Sequence, residues 1–132
     1  MPLSIVPDVV SEQTVHALSP RDSARDVARL MADRNISAVV VEDEGRLVGI
    51  VTERDLSRRV VATDSVASTL RVADIMTRDP EVIAPSGTPA EALEIMERLR
   101  IRHLPVVQDD RVLGVVSIRD LQLSMSRRVV TI

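Results

Sequence analysis

Gly49-Ile50-Val51-Thr52-Glu53-Arg54-Asp55 returns 65 residues later as Gly114-Val115-Val116-Ser117-Ile118-Arg119-Asp120. Each copy closes a β-branched run, sets a hydroxyl three positions before a carboxylate, and continues into Leu56 or Leu121. The same offset, without a gap, aligns Pro20 with Pro85, Met31 with Met96, Ile36 with Ile101, Val41 with Val106, and Arg46 with Arg111. The chain therefore reads as two copies of one supersecondary unit. Neither copy, at about 55 residues, could bury its apolar faces alone.

Working outward from the repeated stretch, the hydroxyl and carboxylate form a capping-box pattern, so a helix should begin at Thr52 and at Ser117. It should carry Leu56 and Val60, or Leu121 and Met125, inward. Two short strands precede each helix, over 38–41 and 47–51 in the first repeat and over 104–107 and 112–116 in the second. They are apolar throughout rather than alternating, which predicts a sheet covered on both faces. An earlier helix is capped by Ser23 with Asp26 and stops near Asn35; Val27, Leu30 and Met31 form its inward stripe, and Arg25, Arg29 and Asp33 face outward. Its counterpart has Thr88 at the cap, Pro89 at the first helical position and Glu91 to complete the box, with Ala92, Ile95, Met96 and Leu99 inward. His16 to Pro20 reads as a short extended segment, and Ala73 to Met76 as a single helical turn. The lead-in of residues 1–13, broken by Pro2 and Pro7, aligns with Val72 to Arg78.

Each half is thus β-α-β-β-α, giving a mixed α/β (α+β) fold whose halves pack sheet to sheet about a pseudo-twofold axis. The boundaries read as repeat 1 over 8–62, a small, polar surface linker over 63–71, and repeat 2 over 72–128. Arg127 to Val130 form a tail with no assigned element. The methionines Met31, Met76, Met96 and Met125 are expected to fill the core where aromatic rings would otherwise pack.

Composition narrows the function. The chain has 132 residues, 45% hydrophobic and 28% charged, with a net charge of -3. No apolar run approaches the ~20 residues of a membrane span. The first ten residues lack a basic group and contain two prolines, so a signal peptide is not expected. There is no cysteine, hence no disulfide or thiolate chemistry, and the cytoplasm is the simplest compartment. Negative net charge argues against nucleic acid as a partner. The chain contains no Phe, Trp or Tyr, so a planar ligand would lie between aliphatic side chains rather than on a ring.

The order Ser-Pro, capped helix with a Met, Ile36-Ser37-Ala38-Val39-Val40-Val41 or Ile101-Arg102-His103-Leu104-Pro105-Val106-Val107, then Gly-x-x-Thr/Ser-x-x-Asp-Leu, resembles the cystathionine β-synthase (CBS) domain. Two such domains in tandem form a Bateman module, and the resemblance spans roughly residues 8–126. It implies a non-catalytic regulatory module that binds an adenosine ligand (AMP, ADP or ATP, with S-adenosylmethionine or NAD as further candidates) in clefts between the repeats. No cofactor is required. Carried over by position, Asp55 and Asp120 would take the ribose hydroxyls, and Thr52 and Ser117 the phosphate or ribose. Ile36, Ser37 and Ala38, with Ile101, Arg102 and His103, would border the base and phosphates. Arg54, Arg119, Ile50, Val115 and His16 complete the implied ligand-binding set. The resemblance also implies a homodimer packed through helices and a regulated partner protein, with no membrane or nucleic-acid partner. Repeat 1 departs from the pattern, with Val40-Val41-Glu42-Asp43 where the family often has Pro-Val-Val-Asp.

Each functional reading has a plainer one beside it. The Thr52 and Ser117 boxes also serve simply to cap helices, and a capped helix N-terminus can itself sit beside an anion. Gly49 and Gly114 fit either a bulge or a close backbone approach to a ligand. Arg54 and Arg119 stand at the helix end unfavourable to a cation, a cost that a bound phosphate would offset. Where repeat 2 has Arg102 and His103, repeat 1 offers Ser37 and Ala38, so anion affinity should differ between the two clefts. His16 and His103 have no Cys or carboxylate at ligand spacing, so no metal site is expected. The competing class is a structural oligomerisation module with vestigial clefts. A nucleotide-hydrolysing enzyme would need a general base or metal ligands that the pattern does not offer.

Overall fold

The computed structural model describes residues 3–11 and 13–130, the last four of these as backbone only. Two tight turns organise it. In repeat 1, β2 (Ala38–Asp43) folds back onto β3 (Arg46–Thr52) through Glu44 and Gly45, at φ 51° and 77°. In repeat 2, β5 (His103–Gln108) folds onto β6 (Arg111–Ser117) through Asp109 and Asp110, at φ 51° and 64°. Two consecutive positive φ values give the turn whose twist matches that of the strands, and Gly and Asp are among the residues that tolerate it. Both pairs are antiparallel and carry a bulge at the same place, between Val41 and Glu42 and between Val106 and Val107.

The first repeat builds a four-stranded sheet in the order β1-β2-β3-β4, with β1 (Ala17–Leu18) parallel to β2 and β4 (Thr77–Arg78) antiparallel to β3. In the second repeat the equivalent of β1 shrinks to a single parallel bridge from Ile83 to Val106. Helix α1 (Ala24–Arg34) has the expected box: the Asp26 N–H donates to Ser23 Oγ at 3.1 Å, and the Ser23 N–H donates to Asp26 at 3.0 Å. The Ser23 backbone N–H, then its hydroxyl, holds the Asp26 carboxyl below its usual 3.8, so this cap is complete at neutral pH and weakens on acidification through that lowered value. Helix α1 stops at Asn35, as its sequence suggested, and Asn35 takes the left-handed conformation. Helix α2 (Glu53–Leu56) continues as a wider turn over Ser57–Val61, and α3 (Val72–Ile75) is the single turn before β4. Helix α4 (Pro89–Leu99) is capped by Thr88, and α5 (Ile118–Val130) absorbs the tail that the sequence left unassigned.

Three expectations are corrected. Only half of the Thr88 box forms: its hydroxyl accepts from the Glu91 N–H at 3.1 Å, and the Glu91 carboxylate does not return the bond. Leu99 is 40% exposed, because it sits on the last turn beyond the stripe of Ala92 and Met96. Met125 is 39% exposed, whereas Met31, Met76 and Met96 are buried; α5 has already turned its apolar face away one turn after Leu121. The linker is also less solvated than its composition implies. Ala67 and Leu70 pack on the core of repeat 1, and the Leu70 carbonyl accepts from Ala24 N–H at 2.9 Å.

The two compact units are cut differently from the two sequence repeats. One unit is residues 16–80; the other joins residues up to Val15 with residues from Glu81 onward. Each lead-in therefore completes the core of the other repeat. Val72, Ile75 and Met76 join Val27, Met31, Val39, Val41 and Val51, while Ile5 and Val10 join Met96, Leu104, Val106, Val116 and Leu121. Val40 and Ile50, paired across β2 and β3, are buried on the opposite face from Val39 and Val51, as an all-apolar strand pattern requires.

The lead-ins explain the two glycines. A Cβ on Gly49 would stand 2.6 Å from Met76 Sδ and 3.0 Å from the Thr77 carbonyl oxygen; one on Gly114 would stand 2.6 Å from Gln13 Oε1. What approaches closely is the chain's own lead-in, at the bulge. Gly49→Ala should cost about 1–3 kcal/mol, because backbone must move, and Gly114→Ala less, about 1 kcal/mol, because the end of the Gln13 side chain can swing aside at the loss of its bonds to Val115. Urea unfolding of both variants checks the order, and an equal or reversed cost contradicts it.

Candidate functional site

Each repeat gathers its candidate residues at one end of its strand pair. Ala38 is the cross-strand partner of Thr52, and His103 that of Ser117. The helix after each second strand starts there, and its first N–H is taken by the residue before the first strand: Glu53 N–H donates to the Ser37 carbonyl at 3.1 Å, and Ile118 N–H to the Arg102 carbonyl at 2.9 Å. His16 lies just before β1, and its backbone carbonyl accepts from the Val40 N–H at 3.3 Å. Ile36 and Ile101 are partly buried against the two cores and accompany left-handed residues at the helix ends, Asn35 and Arg100.

The boxes form in both repeats. Thr52 N–H donates to Asp55 Oδ2 at 2.8 Å, the Thr52 hydroxyl donates to the same oxygen at 3.3 Å, and Asp55 N–H donates back to Thr52 Oγ1 at 3.4 Å. In repeat 2, Ser117 N–H donates to Asp120 Oδ2 at 2.9 Å, and Asp120 N–H donates to Ser117 Oγ at 3.0 Å. A carboxylate at a helix N-terminus complements the positive end of the helix dipole. Arg102 and Arg119 are exposed, and Arg119 stands in the first turn of α5, where a cation is unfavourable unless an anion lies near. Ile50 is buried and Val115 half-buried, at equivalent places on β3 and β6.

The two carboxylates then diverge. Asp55 Oδ1 accepts from the Thr77 hydroxyl at 3.2 Å and lies 4.0 Å from Arg59 Nε. That guanidinium also donates to the Ile75 and Met76 carbonyls, at 3.1 and 2.8 Å. Asp120 Oδ1 has no hydrogen-bond partner among the described residues. The edge of the second strand differs too. In repeat 1, β4 pairs with Gly49 and Ile50; in repeat 2, the Gln13 side-chain amide takes that place, accepting from Val115 N–H at 2.5 Å and donating to Val115 O at 3.1 Å.

Thr77, Arg59 and Gln13 were not singled out from the sequence. The signal was present in the offset itself, which sets Thr77 against Glu12, Arg59 against Ser124, and Arg78 against Gln13. Among the described residues no group of three or more His, Cys, Asp or Glu side chains could hold a metal ion, and no helix is long and apolar enough to cross a membrane.

The CBS-domain family matches this chain twice, at residues 6–62 and 72–127. The chain is 35% identical over 105 residues to the mitochondrial CBS domain-containing protein CBSX3 of Arabidopsis thaliana, an alignment covering 76% of this chain and 51% of that one. It spans about half, or less, of the length of the first curated relatives it matches. Among solved structures it resembles a putative signal-transduction protein with CBS domains from Burkholderia ambifaria MC40-6, with TM-score 0.87, 32% identity, and 93% of both chains covered. It also resembles the CBS domain pair of protein MJ0100 in complex with 5'-methylthioadenosine and S-adenosyl-L-methionine, with TM-score 0.84, 26% identity, and 96% and 99% of the two chains covered.

The box hydroxyls carry structural weight whatever else they do. Thr52→Ala and Ser117→Ala should each lower stability by about 1 kcal/mol, the usual value of an N-cap oxygen. Denaturant unfolding reads this directly. A variant as stable as the parent would show that its hydroxyl does not cap the helix.

Proposed function

We propose that this chain, which belongs to the CBS-domain family, is a non-catalytic regulatory module that binds an adenosine nucleotide at its strand-to-helix boxes and passes the bound state to a partner protein. The observation that carries this reading is Asp120. One of its oxygens is fixed by Ser117 N–H, and the other has no hydrogen-bond partner among the described residues. A carboxylate so held can accept charge-assisted bonds from vicinal ribose hydroxyls without first having to be oriented. Arg102 and Arg119 flank the same helix start and suit a phosphate, for which a guanidinium offers paired donors. The absence of aromatic rings leaves the base to lie among aliphatic side chains, with Ile101 and Val115 the nearest candidates in repeat 2. The adenosine compounds in the MJ0100 domain pair support this ligand class.

The same reading gives the module a second copy as a partner. Val61, Leu123 and Met125 are large apolar side chains left exposed on the terminal helical segments of the two repeats.

Calorimetry with adenosine, AMP and 2',3'-dideoxyadenosine tests the ligand roles. Asp120→Ala should weaken adenosine by about tenfold or more, the worth of a hydrogen bond to a charged group, and leave the dideoxy compound nearly unchanged. Arg102→Ser should weaken AMP much more than adenosine, with a shallower salt dependence. Equal weakening of adenosine and its dideoxy analogue would remove Asp120 from the ribose, and an unchanged preference for AMP would remove Arg102 from the phosphate.

A further inference from the structure

The two repeats carry the same box, and their carboxylates have different capacity left to bind anything. An ionised carboxylate offers about four lone-pair sites. Asp120 spends one, on Ser117 N–H. Asp55 spends three, on Thr52 N–H, the Thr52 hydroxyl and the Thr77 hydroxyl, and its second oxygen also lies beside the Arg59 guanidinium. A vicinal diol needs two. Asp120 has room for both hydroxyls of a ribose, and Asp55 does not while Thr77 stays in place.

Thr77 is exposed, but its backbone is held in place. It lies on β4, where it pairs with Ile50, and its neighbour Arg78 pairs with Gly49. The carbonyls of Ile75 and Met76 just before it are held by Arg59. Gly49 is the residue whose missing Cβ lets this segment come so close. Among the described residues, repeat 2 differs: the offset sets Ser124 where Arg59 stands, and a Gln13 amide bonds Val115 in place of the paired strand.

We infer that Thr77 is a specificity-determining residue that occupies the Asp55 carboxylate from within the chain, so that nucleoside binding is confined to the Asp120 box and the Asp55 box is kept closed. This rests on the adenosine reading of the module and adds which of its two boxes is used, and why. A ligand that did engage Asp55 would have to displace Thr77, and with it disturb β4 and the Arg59 bonds to Ile75 and Met76.

The test is calorimetric stoichiometry with adenosine and with AMP on the full chain and on Asp55→Ala, Asp120→Ala, Thr77→Val and Thr77→Ser. The parent should bind one nucleoside per chain, Asp120→Ala should weaken it by about tenfold or more, and Asp55→Ala should leave it nearly unchanged. Thr77→Val retains a β-branched strand residue but no donor, and should open a second site, tightening binding at Asp55 by about tenfold or more. Thr77→Ser restores the hydroxyl and should return the chain to one site, which separates loss of the donor from general loosening of the strand. Two equal sites in the parent, loss of binding in Asp55→Ala rather than Asp120→Ala, or no second site in a folded Thr77→Val would overturn the inference while leaving the adenosine reading intact. Failure of both compounds to bind the parent and every variant would overturn both.

Discussion

The junction between the last strand and the following helix is the constraint on which each repeat depends. A chain leaving a sheet ladder to enter a helix exposes several N–H donors at once, and these must be met close by. Thr52 with Asp55, and Ser117 with Asp120, satisfy one another across the junction. The carbonyls of Ser37 and Arg102 meet the first helical N–H in each case. One set of bonds thus fixes three things: where the strand stops, where the helix starts, and which residues of the preceding strand stand beside that start. Any ligand chemistry here uses groups that the fold had already brought together.

The second constraint is burial. A sheet apolar on both faces, with no aromatic residue to fill space, needs every aliphatic side chain it can recruit. Each core recruits the other repeat's lead-in: Ile75 and Met76 in one, Ile5 and Val10 in the other. Losing a buried residue such as Ile75 would leave a cavity rather than a repacked core, since interiors close-packed with aliphatics relax only partly. The crossing lead-in also leaves no free space for a Cβ at positions 49 and 114. The repeated glycine that opens the key stretch is therefore explained by packing.

Most of this was legible. The capping boxes, both strand pairs, the helix stop at Asn35 and the repeat itself follow from short-range patterns that obey simple periodicities. What escaped depends on distant neighbours. Nothing local tells that residues 72–76 fill the core of the repeat before them, or that the second copy of the first strand is reduced to Ile83. Helical spacing placed Leu99 and Met125 inward, but a stripe ends where the partner surface ends, and that limit is tertiary. The candidate carboxylates were found from their motif. Their inequality was not, because Thr77 and Arg59 belong to no motif and matter only through the Asp55 oxygen they reach.

The central claim is that the strand-to-helix box of repeat 2 is a nucleotide site. The most direct measurement is a titration of isotope-labelled protein with AMP, followed by backbone amide NMR. The account predicts saturable shifts concentrated at Arg102, His103 and Ser117 to Asp120. Saturable shifts confined to other surfaces, or none at millimolar AMP, would contradict it.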